Sequence, residues 1–292
     1  TYVNIKSGST VRDIALLLEQ RFVIDDIDSF LLTTRLFADD GIFKAGEYKF
    51  AAKSSIVDII SGITSGQNLL HYFTVFEGEP SYRVIERLAE TPCLIGEVPL
   101  FIADGSLLAD THGFFCGNSY ADLVSHIQNK QQQVLNNLWQ QYGHNSANIN
   151  SASEALILAS IVEAESSTFD EQPIIASVYL NRLAKKMRLQ ADPTVIYAIT
   201  EGKHKLDRPL TYQDLKYDSP FNTYVNSGLP PGPIANVSSR AITATLNPEA
   251  TDYLFFVANG KRHIFSKNYK QHKKNIQTIR AQAAINLKKS KS

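Results

Sequence analysis

Apolar and polar positions along the chain change period several times, and each change marks an element. Y-V-N-I at 2–5 alternates as a strand does, K-S-G-S-T turns the chain, and Ser9 or Thr10 can cap a helix that lines up Val11, Ile14, Ala15 and Leu18. Helical spacing returns at 27–36. G-I-F-K-A-G-E-Y-K-F then reads as a turn at Gly46 and a strand through Tyr48 and Phe50. Ser54 or Ser55 opens a short helix carrying Ile56, Ile59, Ile60 and Ile63, and H-Y-F-T-V-F at 71–76 is a further strand. Residues 1–76 therefore predict a small α/β module.

From Glu77 to about Asn148 the pattern predicts a mainly helical connecting section. Its most polar stretch keeps Ile127, Val134, Leu135 and Leu138 on one stripe, a rod of roughly 20 residues spanning about 30 Å. G-H-N-S-A-N-I-N at 143–150 has no period and reads as a linker, which sets a boundary near 148. Beyond it Ser151 and Glu154 have capping-box spacing ahead of A-L-I-L-A-S-I-V, apolar on every side and so a buried helix. The next helix has Asp170 as its cap, Pro173 in its first turn and Ile174, Val178 and Leu183 facing inward; Asp192-Pro193 starts another by the same device. G-L-P-P-G-P-I at 228–234 is a stiffened loop, Asn259-Gly260 marks a hairpin, and an amphipathic helix begins near 268. The fold class is α+β, with a mixed α+β domain over 149–292.

Composition narrows the function. Among 292 residues Lys plus Arg balance Asp plus Glu at 29 each, so no net field favours nucleic acid. Cys93 and Cys116 have no zinc-ligand spacing, and the seven histidines never pair as metal ligands, so no metal site is expected. The two cysteines are either one disulfide or two buried thiols. No run of about 18 apolar residues occurs. Serine nucleophile elbow, Walker loop and Rossmann fingerprint are all missing.

One stretch carries chemistry. In A-S-I-V-E-A-E-S-S, at 159–167, a buried helix runs into Glu163 and Glu165 with no Lys or Arg beside them. Residues two apart on a helix point about 200° away from each other, so the two are not a catalytic pair. Glu163, one turn beyond Ala159 and Ser160, follows the buried surface. Held there without a cation it is either a general acid or a structural group satisfying hydrogen bonds in the core. Further on, Gln190, Asp192, Tyr197, Asn222, Thr223 and Tyr224 are polar groups in apolar context. Amides, hydroxyls and aromatic faces suit a carbohydrate. The alternatives are that Tyr197 and Tyr224 are core aromatics and Asp192 an N-cap.

I-L-A-S-I-V-E-A-E, I-A-S-V-Y-L-N-R-L, M-R-L-Q-A-D-P-T-V-I-Y, F-N-T-Y, G-L-P-P-G-P-I-A-N and Y-L-F-F-V-A, in order over about residues 151–275, resemble the endolytic murein transglycosylases of the MltG or YceG-like family. The opening Y-V-N-I-K-S-G-S-T-V-R-D-I-A is similar to the family's LysM-like subdomain, expected to position more than to bind glycan. The resemblance implies cleavage of the β-1,4 bond between N-acetylmuramic acid and N-acetylglucosamine within nascent glycan strands, leaving 1,6-anhydro ends and terminating elongation. It places the family's catalytic acid on Glu163 and a hydroxyl of the substrate site on Ser166, beside Gln190, Tyr197, Asn222, Thr223 and Tyr224. A lone acid suffices because the sugar's own C6 hydroxyl is the nucleophile, a departure from the two-carboxylate pattern. No cofactor is implied. The implied partners are peptidoglycan strands and peptidoglycan synthases. An N-terminal membrane anchor is expected to precede Thr1, setting this part outside the cytoplasmic membrane. L-L-A-D-T-H at 107–112 departs from the usual L-F-P-D-T-Y at Ala109 and His112, and no substrate role is carried onto His112. Two other readings compete: a non-catalytic peptidoglycan-binding scaffold, and hydrolysis by water, which needs a second carboxylate from Glu165 or Asp192.

Overall fold

The computed structural model describes residues 1–37, 42–143, 148–166, 168–260 and 262–289. Among them lie ten α-helices and three two-stranded antiparallel sheets, a mixed α+β chain as expected. Two compact units share the chain: residues 1–74, 88–99 and 111–125 form the first, and residues 75–87, 100–110 and 126–292 the second.

In the first unit β1 (Tyr2–Ile5) pairs with β2 (Gly46–Lys49), and α1 (Val11–Gln20), α2 (Ile27–Phe37) and α3 (Ile56–Ser65) complete its core. The caps lie where spacing put them. Thr10 and Asp13 close a reciprocal box on α1, Ser55 and Asp58 another on α3, each satisfying amides the helix start leaves open. Tyr48 is fully buried, its hydroxyl donating to the Lys44 and Ile63 carbonyls, and burial pushes its pKa up to about 12. β3 (Leu70–Thr74) pairs with β4 (Thr111–Phe115). Cys93 and Cys116 form a disulfide with Cα atoms 5.0 Å apart, which settles the choice between bridge and free thiols. His71 lies beside that bridge, but its Nε2 is bonded to Glu47 at 2.7 Å.

The stretch 77–148 is less helical than its pattern suggested. It holds α4 (Ser81–Ala89), β4 and α5 (Tyr120–Tyr142), with turns and bends between α4 and β4. His112, Phe114 and Cys116 are buried at alternate positions, and that short alternation makes a strand where helix was expected. The rod is present as the 23-residue α5. The linker expected at 143–150 falls largely on residues 144–147, outside the described residues.

The second unit is built around α6 (Ala152–Glu165). Its residues from Ile157 to Glu163 are all buried, as a helix apolar on every side must be. It packs on α7 (Gln172–Ala184), α8 (Asp192–Thr200) and α9 (Ser239–Leu246). Ser151 caps α6 by accepting from the Glu154 amide, while Glu154 turns back to the Asn150 amide. Two expected caps are corrected. Asp170 lies in a single 3-10 turn before α7 and pairs with Arg262, and Asp192 is already inside α8, so Ala191 occupies the cap without a side-chain bond. The buried face of α7 is also rotated: Ile175, Ala176, Val178, Tyr179 and Leu180 face the core, with Ile174 and Leu183 only half-buried. The proline loop at 228–234 carries no regular element, and the Ile234 amide docks on the Ser160 hydroxyl at 3.0 Å. β5 (Phe255–Asn259) and β6 (Arg262–Ser266) pair as a hairpin with Gly260 at φ +69°, and α10 (Tyr269–Lys289) follows.

Candidate active site

The end of α6 sends two carboxyl groups in different directions, into different surroundings. Glu163 is 6% exposed, as its place on the apolar helix required. Its Oε2 accepts the Ser238 amide at 2.8 Å and the Ser238 hydroxyl at 2.6 Å, and its Oε1 accepts the Gln172 side-chain amide at 2.7 Å. Ser238 is the N-cap of α9, so this carboxyl sits where that helix exposes unpaired amides and the positive end of its dipole. Among the described residues it forms no ion pair. Both of its oxygens are committed to the packing of α6 against α7 and α9. A groove of about 630 Å³ runs past it, bordered by Tyr82, Arg83, Ser166, Tyr197, His204 and Lys205.

Glu165 is only half-buried and opens into a different cavity, of about 370 Å³, shared with Tyr179, Gln190, Asp192, Tyr224 and the β5–β6 hairpin. Among the described residues its one hydrogen bond comes from the Tyr179 hydroxyl at 2.9 Å. Loss of solvent raises its pKa to about 7; the Tyr179 bond opposes this, the nearby Asp192 charge adds to it, and Arg182 opposes it. Near neutrality this carboxyl thus holds a proton and can still release it, the condition for general acid and base work in turn.

The walls of that cavity are tied from behind. Arg182 is buried, and its guanidinium donates to the Leu254 carbonyl at 2.6 Å and the Leu189 carbonyl at 2.5 Å while lying over the Phe255 ring. The Tyr224 hydroxyl donates to Asp192 at 2.6 Å, and burial raises the phenol's pKa. Gln190 has φ +50°, a left-handed conformation that costs a non-glycine residue about 1–2 kcal/mol, and its amide is pinned to the Thr223 carbonyl.

The sequence-predicted residues therefore divide. Gln190 and Tyr224 line the Glu165 cavity, with Asp192. Ser166 borders the Glu163 groove and donates to the Thr168 carbonyl. Tyr197 borders that groove too, its hydroxyl on Asp104 at 3.0 Å. Asn222 and Thr223 are fully buried. Asn222 donates to the Leu215 and Tyr217 carbonyls, and the Thr223 hydroxyl accepts the Ala191 amide, so both spend their polar atoms folding the chain around Tyr224. Tyr179, Arg182 and the hairpin wall also line the Glu165 cavity, and sequence reasoning did not single them out. Their signal was available in the motifs I-A-S-V-Y-L-N-R-L and Y-L-F-F-V-A, whose polar members interrupt buried runs.

A carboxyl of pKa about 7 set in a cavity of amides, hydroxyls and aromatic rings is suited to general acid–base chemistry on a polar substrate. The family model described as the YceG-like family matches residues 3–278. An endolytic murein transglycosylase of Bacillus subtilis is 34% identical, over 93% of this chain and 82% of its own length. One of Streptococcus pneumoniae is 25% identical over 94% of this chain, which spans 57% of that relative. The crystal structure of a YceG-like protein from Listeria monocytogenes matches with a TM-score of 0.58 at 30% identity, covering 94% of this chain and 98% of that one. The chain belongs to the YceG-like family.

Proposed function

We propose that this chain is an endolytic peptidoglycan lytic transglycosylase and that Glu165 is its general acid. The relatives that carry that name support the activity. The assignment of the acid rests on one contrast: among the described residues one neutral hydroxyl, that of Tyr179, bonds to Glu165, whereas three donors occupy the oxygens of Glu163. The role that the resemblance placed on Glu163 thus moves by two residues, and Glu163 becomes the group that fixes α6 to α9.

The reaction runs in two proton transfers. The protonated Glu165 gives its proton to the oxygen between N-acetylmuramic acid and N-acetylglucosamine as the C1–O bond breaks. The carboxylate so formed takes the proton of the muramic C6 hydroxyl while that oxygen bonds to C1, closing the 1,6-anhydro ring and restoring the acid. Gln190 and Tyr224 are the amide and hydroxyl that meet the sugar, and the positive charge developing at C1 is supported by the substrate's acetamido group. An anhydro end has no free C1 hydroxyl, so a cut strand cannot be extended there, which gives the enzyme a terminating role on nascent strands. Such a substrate lies outside the cytoplasmic membrane, in keeping with an anchored, extracytoplasmic enzyme. The first unit, with α1 and α2 between paired β1 and β2, supports a LysM-like positioning module.

Asp192, in the same cavity as Glu165, supports a second reading in which it activates water and the product is hydrolysed. Digestion of purified glycan strands by the wild type, Glu165→Gln and Glu163→Gln, with products weighed, separates these. Anhydro products lost in Glu165→Gln and retained in Glu163→Gln are the expected result. Loss in Glu163→Gln alone, with both variants folded, returns the acid to Glu163. Products heavier by one water establish hydrolysis, and glycan binding without turnover in the wild type establishes a scaffold.

A further inference from the structure

The Glu165 cavity has a second polar apparatus, built on the hairpin. His263 on β6 lines it, and Glu171, in the turn before α7, stands behind the ring. The two side chains are 8% and 6% exposed. Glu171 Oε1 accepts the His263 amide at 3.1 Å and Oε2 accepts Nδ1 at 2.8 Å. A carboxylate can only accept, so Nδ1 carries a proton, and in the neutral ring Nε2 is then the acceptor. The Glu171 bond and the Phe256 ring, packed edge-on at 5.2 Å and 84°, hold the imidazole in place, with Phe265 centred 6.2 Å away.

Burying a carboxylate is costly, and an apolar pair would fill this hairpin wall at less expense. What the pair provides is an imidazole of fixed tautomer and fixed aim, the arrangement by which a carboxylate orients a working histidine. The same wall holds His272, stacked on Phe255 at 5.2 Å, whose Nδ1 is buried and, among the described residues, without a hydrogen-bond partner. A buried polar atom left unpaired points to a polar occupant that pairs it.

We propose that His263 contacts the substrate directly, its Nε2 accepting a hydrogen bond from a hydroxyl or acetamido N–H of the sugar bound beside Glu165, with Glu171 as its positioning residue. This rests on the reading of the Glu165 cavity as the place where glycan is cut. Two substitutions separate contact from scaffolding. His263→Asn puts an amide where Nδ1 stood, keeping the bond to Glu171 and deleting Nε2; His263→Gln reaches the Nε2 position and gives up Glu171. With melting temperatures near the wild type, His263→Asn lowers kcat/KM for glycan strands about tenfold or more, and His263→Gln keeps more of it. A purely structural histidine gives the reverse order.

The second measurement needs no change at His263. In Glu165→Gln enriched with nitrogen-15 histidine, the Nε2 resonance of His263 shifts on addition of glycan strands at tenfold the wild-type KM. Full kcat/KM in His263→Asn, or an unmoved Nε2 resonance, overturns the proposal; if His263→Asn fails to fold, the resonance decides alone. Continued turnover by Glu165→Gln overturns the acid assignment instead, and the Nε2 shift then stands or falls on its own.

Discussion

Glu163 and Glu165 are two residues apart on one helix, yet we read one as a structural tie and propose the other as the reacting acid. The difference is in their partners. Ser238 and Gln172 bring three donors to Glu163 from two other helices, whereas one phenol reaches Glu165 and the rest of its surroundings are cavity. Burial alone thus says little about what an acid does. Both carboxyls border an opening, and the number of donors that tie each to the fold is what separates them.

The largest effect that can break this comparison is on turnover. Glu165→Gln lowers kcat roughly a hundred- to ten-thousand-fold, the range lost with a general acid, while at the acid end of the pH range, where the wild-type carboxyl is also neutral, its melting temperature stays close to the wild type; anhydro-ended products counted by mass spectrometry are the readout. The second effect is on stability. Glu163→Leu strands the Ser238 amide and hydroxyl and the Gln172 amide, and unfolding in urea is expected to show a loss of about 3 kcal/mol or more. A stable Glu163→Leu that cannot cut glycan would reverse the two roles.

The third is a pH effect with a definite sign. Glu165 has a folded pKa of about 7 against an ordinary 4.5, so the folded chain keeps a proton that the unfolded chain has already released. The stability this contributes is complete below about 4.5 and is lost as pH rises through about 7. Melting temperatures of the wild type and Glu165→Gln should diverge across that window, in favour of the variant at the upper end. In the same window kcat falls with rising pH as the donated proton is lost. The smallest effect is the most specific: Tyr179→Phe removes the bond that favours the ionised carboxylate, so the alkaline limb of the kcat profile moves to higher pH with kcat at its maximum little changed. A limb that stays in place means Tyr179 does not tune the acid.

Much of the fold was legible because local chemistry dictates it. Thr10, Ser55 and Ser151 cap the helices they precede, and the uninterrupted apolar run of α6 was enough to bury Glu163. The site was legible as a set of residue types, and less so as a map. Glu163 meets Ser238 across 75 positions of sequence, and Asp192 meets Tyr224 across 32, so no spacing along the chain tells which carboxyl is tied by several donors and which by one. Asn222 and Thr223 show the same limit. Polar residues in apolar context mark either a ligand site or a loop that must satisfy its own backbone, and here the loop claims them. β4 was missed for another reason: three alternating buried positions are too short a signal beside a long helical stripe.

Arg182 bears on how the enzyme meets a polymer. Its planar fork joins the strand leading into the hairpin to the bend ahead of α8, so one cation acts as a spacer that fixes the gauge of the cleft. Spreading those two sides would strand a desolvated cation and two carbonyls. On the proposed function, a glycan strand entering this opening would meet two walls that Arg182 holds at one spacing.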